Sequence, residues 1–310
     1  MLARMEQKLG VANRVFDVRT DADLWTQFWG ANPTSSCVDE FPPSARKSIL
    51  RQWTEAFTHL PVGANLLDIG CGRGALLELA IAAGGARLDT ELTGIDSAYV
   101  PAPHPPGARI LSGTDANHLP FADRGVTMVV SQFGLEYAGL SSALREAARV
   151  CQGSLLALVH AADGVVCRQM REQAEQVGWL LDEQDLAGRL CASGNEARAL
   201  VAAIDIRASA AENYSLLQHM RECVVALVDA RARLSPADYR AMLADVIAGM
   251  AAHRGRMSLL AGAAPDADDV AAALAPLPAL GFSVSVREER HGDLLVGRWI
   301  EARRMDQTIN

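Results

Sequence analysis

Asn65 to Ala80 reads N-L-L-D-I-G-C-G-R-G-A-L-L-E-L-A, and this stretch decides the fold. Leu66, Leu67 and Ile69 have the continuous apolar character of a buried parallel strand, and the run from Ala75 onward has helical periodicity. Gly70, Gly72 and Gly74 stand between them. A strand that turns at once into a helix needs backbone angles that side chains forbid, and glycine supplies them. The same glycines let a ligand come against bare backbone at the helix N-terminus, where unpaired N–H groups await an acceptor.

Glycine spacing alone admits two ligands. Gly70 to Ala75 also fits the G-x-G-x-x-A form of the dinucleotide fingerprint. Asp68, two residues before the first glycine, would repel a pyrophosphate and suits a ligand carrying an ammonium group. With that acid in place, the segment resembles the first motif of the class I S-adenosylmethionine-dependent methyltransferases. Leu92-Thr93-Gly94-Ile95 reads as the second strand and ends in Asp96, followed by Ser97. An acid at that strand end lies across the switch point of a doubly wound sheet from the glycine loop. It can accept hydrogen bonds from both hydroxyls of a ribose, a need that nicotinamide and adenosyl ligands share.

The discriminating stretch follows the third strand, Arg109 to Ser112. Asp115-Ala116-Asn117-His118-Leu119-Pro120-Phe121, with Asp123 behind it, resembles the adenine-binding loop of the same family. The resemblance implies that Asp115 accepts a hydrogen bond from the adenine amino group and that the Ala116 N–H reads the ring. Strand four, Val126 to Val130, leads into Ser131-Gln132-Phe133-Gly134-Leu135-Glu136-Tyr137, where the family's residues face donor and acceptor. The implied donor site is Asp68, Gly70, Cys71, Gly72, Gly74, Asp96, Ser97, Asp115, Ala116 and Gln132. S-adenosylmethionine is the implied cofactor and S-adenosylhomocysteine its product. Phe133 and Tyr137 are expected to face the acceptor.

The rest of the chain narrows the possibilities. Its 310 residues can bury a full core. A net charge of −8 leaves no basic footprint, so no nucleic-acid partner is expected. The N-terminus lacks a signal peptide's apolar core and no apolar run is long enough for a bilayer, so the expectation is a cytoplasmic protein without a membrane partner. The six cysteines are scattered singly, with no zinc-ligand spacing and no disulfide framework, and no metal is expected. Buried thiols are expected, and the resemblance implies a small spacer at Cys71. Its place at a helix start, where a thiolate would be stabilised, gives the alternative.

The predicted fold is α/β, a doubly wound and mostly parallel seven-stranded sheet with an antiparallel last strand. A helical insertion or cap is added to it. Residues 1–60 are expected to form an N-terminal helical segment, 61–161 with 278–310 the core, and 162–277 the insertion. In the first segment Trp25, Phe28 and Trp29, then Ile49, Trp53 and Phe57, fall at helical spacing. They either pack on the core or, as in many proteins resembling this one, bring Trp25 and Trp29 over the substrate mouth. Gly30 to Ser36 is polar enough for a mobile loop. Ser141 to Val150 reads as a helix with Arg145 and Arg149 solvated. Leu155 to Val159 forms strand five, ending in His160.

Strand six waits until Phe282 to Val286, and Leu294 to Ile300 forms strand seven, the pair making a terminal hairpin. Between strands five and six, Leu216, Met220, Cys223, Val224 and Leu227 form one helical stripe. Tyr239, Met242, Leu243, Val246, Ile247 and Met250 form a second, and the two are expected to pack on each other. Ser235-Pro236 is a well-formed helix start.

The expected activity is methyl transfer to a small, partly apolar acceptor, through a hydroxyl, in natural-product metabolism. A peptide or carrier-bound substrate, or a non-catalytic donor-binding assembly protein, is the alternative. His160 is the candidate base, with a core or cap contact as its other reading. Glu136, Tyr137 and His118 follow it. Trp25, Trp29, Tyr214 and His219 are further candidates for acceptor contact, and the insertion is a candidate surface for a homodimer.

Overall fold

The computed structural model describes residues 20–32, 41, 43–84, 89–192, 194–211 and 214–305. Cys37, most of the polar loop expected at 30–36 and the first nineteen residues of the N-terminal segment lie outside these. In chain order the elements are α1 (Asp21–Ala31), α2 (Pro43–Thr58), β1 (Asn65–Ile69), α3 (Ala75–Ala82), β2 (Glu91–Asp96), β3 (Ala108–Ser112) and β4 (Val126–Gln132). A short 3-10 turn, Leu135–Ala138, precedes α4 (Leu140–Val150) and β5 (Cys151–His160). Helices α5 (Val165–Gly178), α6 (Leu186–Cys191), α7 (Gly194–Ala210), α8 (Ser215–Arg231), α9 (Pro236–Ala263) and α10 (Ala267–Leu274) follow. The chain closes with β6 (Phe282–His291) and β7 (Leu294–Arg304).

The seven strands form one sheet in the order β3-β2-β1-β4-β5-β7-β6. β1 runs parallel to β2 and β4, which makes this the place where strand order reverses. β7 is antiparallel to both β5 and β6. The sheet is therefore the doubly wound, seven-stranded one that the glycine loop and strand spacing predict. The last hairpin is longer than its pattern suggests. β6 continues to His291 through an irregularity at Glu289/Arg290, so Gly292 and Asp293 alone make the connection.

β1 is apolar at every buried position except Asp68, which is 2% exposed. A parallel strand is covered by helices on both faces, so nothing in its middle is left to solvent. One layer of cover is α4, whose Leu140, Ala143, Leu144, Ala147 and Ala148 share a core cluster with Val270, Ala273 and Leu274 of α10. A capping box of Asp266 and Asp269 starts α10.

The described residues divide into two compact units. Residues 32–168 and 260–305 make up the sheet unit, and 20–31 with 169–259 make up a helical unit. Residues 260–277, read from sequence as part of the insertion, group with the sheet instead, because α10 is one of its covering helices. Within the helical unit, Met220, Cys223, Val224 and Leu227 of α8 share one core with Tyr239, Leu243, Val246 and Met250 of α9. The two stripes do pack together. Leu186, Leu190, Leu200 and Ile204 of α6 and α7 belong to the same core.

Candidate functional site

The site assembles at the carboxyl ends of β1, β2, β4 and β5, on either side of the reversal in strand order. The loop after β1 is held tightly. Gly70 has φ +68°, and a Cβ added there would stand 2.7 Å from the Cα of Gly134 in the loop after β4. Gly134 in turn has room for no side chain, since its own Cβ would lie 2.8 Å from the Ile69 carbonyl oxygen. The two loops meet backbone to backbone. Gly74, at φ +86°, caps α3 in the left-handed conformation that glycine tolerates.

Asp96 ties the glycine loop to β2. Its Oδ2 accepts the Gly72 N–H and its Oδ1 the Ala98 N–H, both at 2.9 Å. Each oxygen keeps a further lone pair for a ligand hydroxyl. Burial pushes this carboxyl up, while the Ala98 and Gly72 N–H groups hold it down. For Asp68, burial pushes the carboxyl well above its ordinary range and the nearby charge of Asp96 pushes it further. A buried acid raised in this way is one that a cationic ligand group would return to its charged form.

Cys71 is a buried thiol, not the thiolate of the alternative reading. Burial first, then Asp68 and Asp96, raise its thiol well above the ordinary value, so the helix start does not make it a nucleophile. Its sulfur fills the space over Gly94, where a Cβ would come within 2.6 Å of it. Ser97 is exposed beside Asp96.

The loop after β3 is a folded unit of its own. Asp115 Oδ1 accepts the Asn117 N–H at 2.8 Å, and Oδ2 lies 3.0 Å from His118 Nδ1. The Asn117 N–H and His118 together hold the exposed Asp115 carboxyl below its ordinary value. His118 is 85% exposed and serves this turn. Arg149 of α4 fastens the loop. It donates to the carbonyls of Leu119 and Phe121 and to the carboxylates of Asp123 and Glu146. Arg149 is thus not the solvated side chain that its helical pattern suggests; its guanidinium, with five donors, collects the loop's acceptors. Arg145 is exposed.

At the ends of β4 and β5, Gln132 Oε1 accepts the indole N–H of Trp53 at 2.6 Å. Phe133, at φ +54°, is 4% exposed, and its ring lies 4.2 Å from the imidazole of His160. His160 is 1% exposed and its Nδ1 is 2.7 Å from Glu136 Oε1. The same oxygen accepts the His160 backbone N–H at 2.9 Å. Glu136 Oε2 is buried without a partner among the described residues. Tyr137 meets His160 edge to face, with ring centres 6.4 Å apart. Glu136 and His160 thus form a buried acid–imidazole pair, a pairing that sequence spacing does not disclose.

The sheet unit contains every residue named for the donor, along with Phe133, Tyr137 and His160. Trp25, Trp29, Tyr214 and His219 belong to the helical unit. There Trp25 and Trp29 stack at 6.1 Å, Tyr214 is 59% exposed and His219 lies against Cys223 on its own helix.

Residues 67–157 match the family model described as a methyltransferase domain. No curated protein matches the chain. Among solved structures, it is similar to a S-adenosylmethionine-dependent methyltransferase from Aquifex aeolicus, at 19% identity over 40% of this chain and 76% of that one, TM-score 0.31. It is also similar to geranyl diphosphate C-methyltransferase from Streptomyces coelicolor A3(2), at 16% identity over 37% and 46%, TM-score 0.32. A possible exported protein from Bordetella parapertussis aligns over 98% of this chain and 88% of its own, at 14% identity and TM-score 0.42. The chain spans about half the length of the geranyl diphosphate enzyme.

A parallel sheet of this order, a glycine loop after β1 and an acid closing β2 define a nucleoside-binding α/β domain. Over residues 67–157 this domain is similar to the methyltransferase domain of the matched model. The residues fit S-adenosylmethionine. Asp96 retains acceptor capacity for a ribose, and Asp68 is a buried acid suited to an ammonium group. No helix of the described residues is long and apolar enough to cross a membrane.

Proposed function

We propose that the protein transfers a methyl group from S-adenosylmethionine to the hydroxyl of a small, partly apolar acceptor in natural-product metabolism. The observation that carries this reading is the Glu136–His160 pair, buried where β4 and β5 deliver their last residues. Bound at Gly70 to Gly74 with Asp68, Asp96, Asp115, Ala116 and Gln132 around it, the donor supplies an electrophilic methyl carbon on a sulfonium.

A hydroxyl is a poor nucleophile until its proton has somewhere to go, and a positioned imidazole contributes about 10²–10⁴-fold to such a step. Glu136 fixes the imidazole through Nδ1, which leaves Nε2 as the nitrogen to take the proton. The donor would give up its methyl carbon to the acceptor oxygen, with the carbon–sulfur electron pair remaining on sulfur. The hydroxyl proton passes to His160. Phe133 and Tyr137 place apolar ring surface beside the imidazole, which keeps water from the nucleophile.

The experiment uses the full chain, methyl-labelled donor and a panel of phenols and aliphatic alcohols. Label should appear on a hydroxyl oxygen, and His160→Gln should lower kcat by about 10²-fold or more with donor affinity unchanged. Label found on carbon or nitrogen, or a kcat untouched by His160→Gln in a folded variant, would overturn the proposal.

A further inference from the structure

Trp53 of α2 is fully buried and has one polar side-chain atom, its indole nitrogen. The N–H is donated over 2.6 Å to Gln132 Oε1, at the carboxyl end of β4. An indole N–H can only donate, so it can face only the oxygen end of a carboxamide. The orientation of the Gln132 amide is thereby fixed. Oε1 is turned to Trp53, and Nε2, with its two N–H donors, is turned away. Gln132 is half-buried; its Nε2 keeps access to solvent and bonds to no other described residue.

Trp53 is itself held from several sides, all within the sheet unit. Its ring lies 5.0 Å from that of Trp299 on β7 and stacks on Phe57 at 5.9 Å. Glu289 of β6, 4% exposed, accepts the Trp299 indole N–H at 2.8 Å and the Gln52 amide N–H at 2.6 Å, both on Oε2. Gln52 is the residue before Trp53 on α2. One buried carboxyl group thus ties down both the ring that meets Trp53 and the helix that carries it. Apolar packing alone would be served by a phenylalanine; the indole adds one directed bond to one amide.

Strand register says which group those N–H donors meet. Asp68 of β1 lies opposite Val130 of β4, and Gln132 is two residues further along. Side chains alternate along a strand, so Asp68, Val130 and Gln132 share one face of the sheet. Leu158 and Trp299, in register with Gln132 across β5 and β7, lie on the same face. Asp96, the acid suited to a ribose, stands on β2, across β1 from β4. The part of the ligand reached from β4 is therefore the amino-acid end, where ammonium and carboxylate share one carbon. An acid on β1 for the first, beside outward N–H donors on β4 for the second, makes a complementary pair.

We propose that Trp53 is a positioning residue for the donor: its indole N–H holds the Gln132 carboxamide with the NH2 group outward, and that group receives the α-carboxylate of S-adenosylmethionine beside Asp68. The proposal rests on the reading of S-adenosylmethionine as the donor, and deepens it by assigning the carboxylate end.

The test takes the full chain and two ligands followed by calorimetry, S-adenosylhomocysteine and 5′-methylthioadenosine, which keeps the nucleoside and thioether but lacks the amino-acid end. Gln132→Met should weaken S-adenosylhomocysteine at least about tenfold and leave 5′-methylthioadenosine unchanged. Trp53→Phe should do the same at about fivefold or more. The double variant should be no weaker than Gln132→Met, since Trp53 acts only through that amide. Should Trp53→Phe fail to fold, the Trp53 indole N–H resonance of the unmodified protein decides: S-adenosylhomocysteine should move it and 5′-methylthioadenosine should not. Loss of both ligands alike in Trp53→Phe, effects that add in the double variant, or an indole resonance unmoved by S-adenosylhomocysteine would overturn the proposal. An unmodified protein that binds neither ligand removes the donor reading along with it, whereas binding of both with their ratio unchanged in Gln132→Met overturns this assignment alone.

Discussion

Asp68→Asn should make the protein more stable and worse at holding its donor. Asp68 is 2% exposed in the middle of a sheet, and burial together with the charge of Asp96 raises its pKa well above the ordinary 3.8. For an acid raised in the fold, stability is full below the unfolded value and is lost as pH climbs through the folded one. At pH 7, well above the unfolded value, holding this raised acid in the sheet is therefore a standing cost to the unliganded protein. Asparagine keeps the shape and removes the charge. Relief of a buried, poorly compensated polar group is worth about 1–3 kcal/mol. At roughly 2–4 °C per kcal/mol for a large domain, the melting temperature should rise by several degrees. Calorimetry at pH 7 and again toward pH 4 should show the gain at the first and its disappearance at the second. The charge is needed once a ligand's ammonium group arrives. Losing a charge-assisted interaction of about 1.5–3 kcal/mol should weaken S-adenosylmethionine about ten- to hundredfold. A variant that melts lower at pH 7 without ligand, or that binds the donor unchanged, would refute the reasoning.

Three other perturbations test separate parts of the site. Asp96→Ala removes the acceptor of the Gly72 and Ala98 N–H groups along with the ribose partner, so donor affinity measured by calorimetry should fall at least about tenfold in a folded protein. Gly94→Ala drives a methyl into Cys71 Sγ at 2.6 Å and should destabilise by about 1–3 kcal/mol in denaturant melts, with partial recovery in the Cys71→Ala double variant. Arg149→Met cuts the bonds to Leu119, Phe121 and Asp123, and hydrogen exchange across residues 115–123 should quicken while the sheet stays protected.

What could be read from the residues was what depends on period and on local backbone need. β1, the glycine loop and Asp96 follow from apolar runs, positive φ and a strand end, all of which are local. The α8 and α9 stripes were legible because burial at every third or fourth residue leaves a mark in the sequence. Contacts between distant polar side chains leave none. Nothing in Glu136-Tyr137 announces a hydrogen bond to a residue 24 positions later, and Trp53 reads as one more apolar residue beside Ile49 and Phe57 although its indole N–H serves Gln132. Arg149 was misread for the same reason: an arginine on an amphipathic helix looks solvated until the loop that surrounds it is in place. The boundary near residue 260 was missed because α9 runs across it without a break in its helical pattern.

The contact of Gly70 with Gly134 has a mechanical consequence. With no side chain at either position to yield, the two loops have almost no slack between them and must travel as one body. Phe133 is the residue immediately before Gly134, and its N–H is tied to the Leu158 carbonyl at 2.7 Å. A strain imposed on the glycine loop is thus passed through two rigid links to the ring that lies against His160. The glycine loop and the imidazole of His160 are joined by one backbone contact, one backbone hydrogen bond and one aromatic ring.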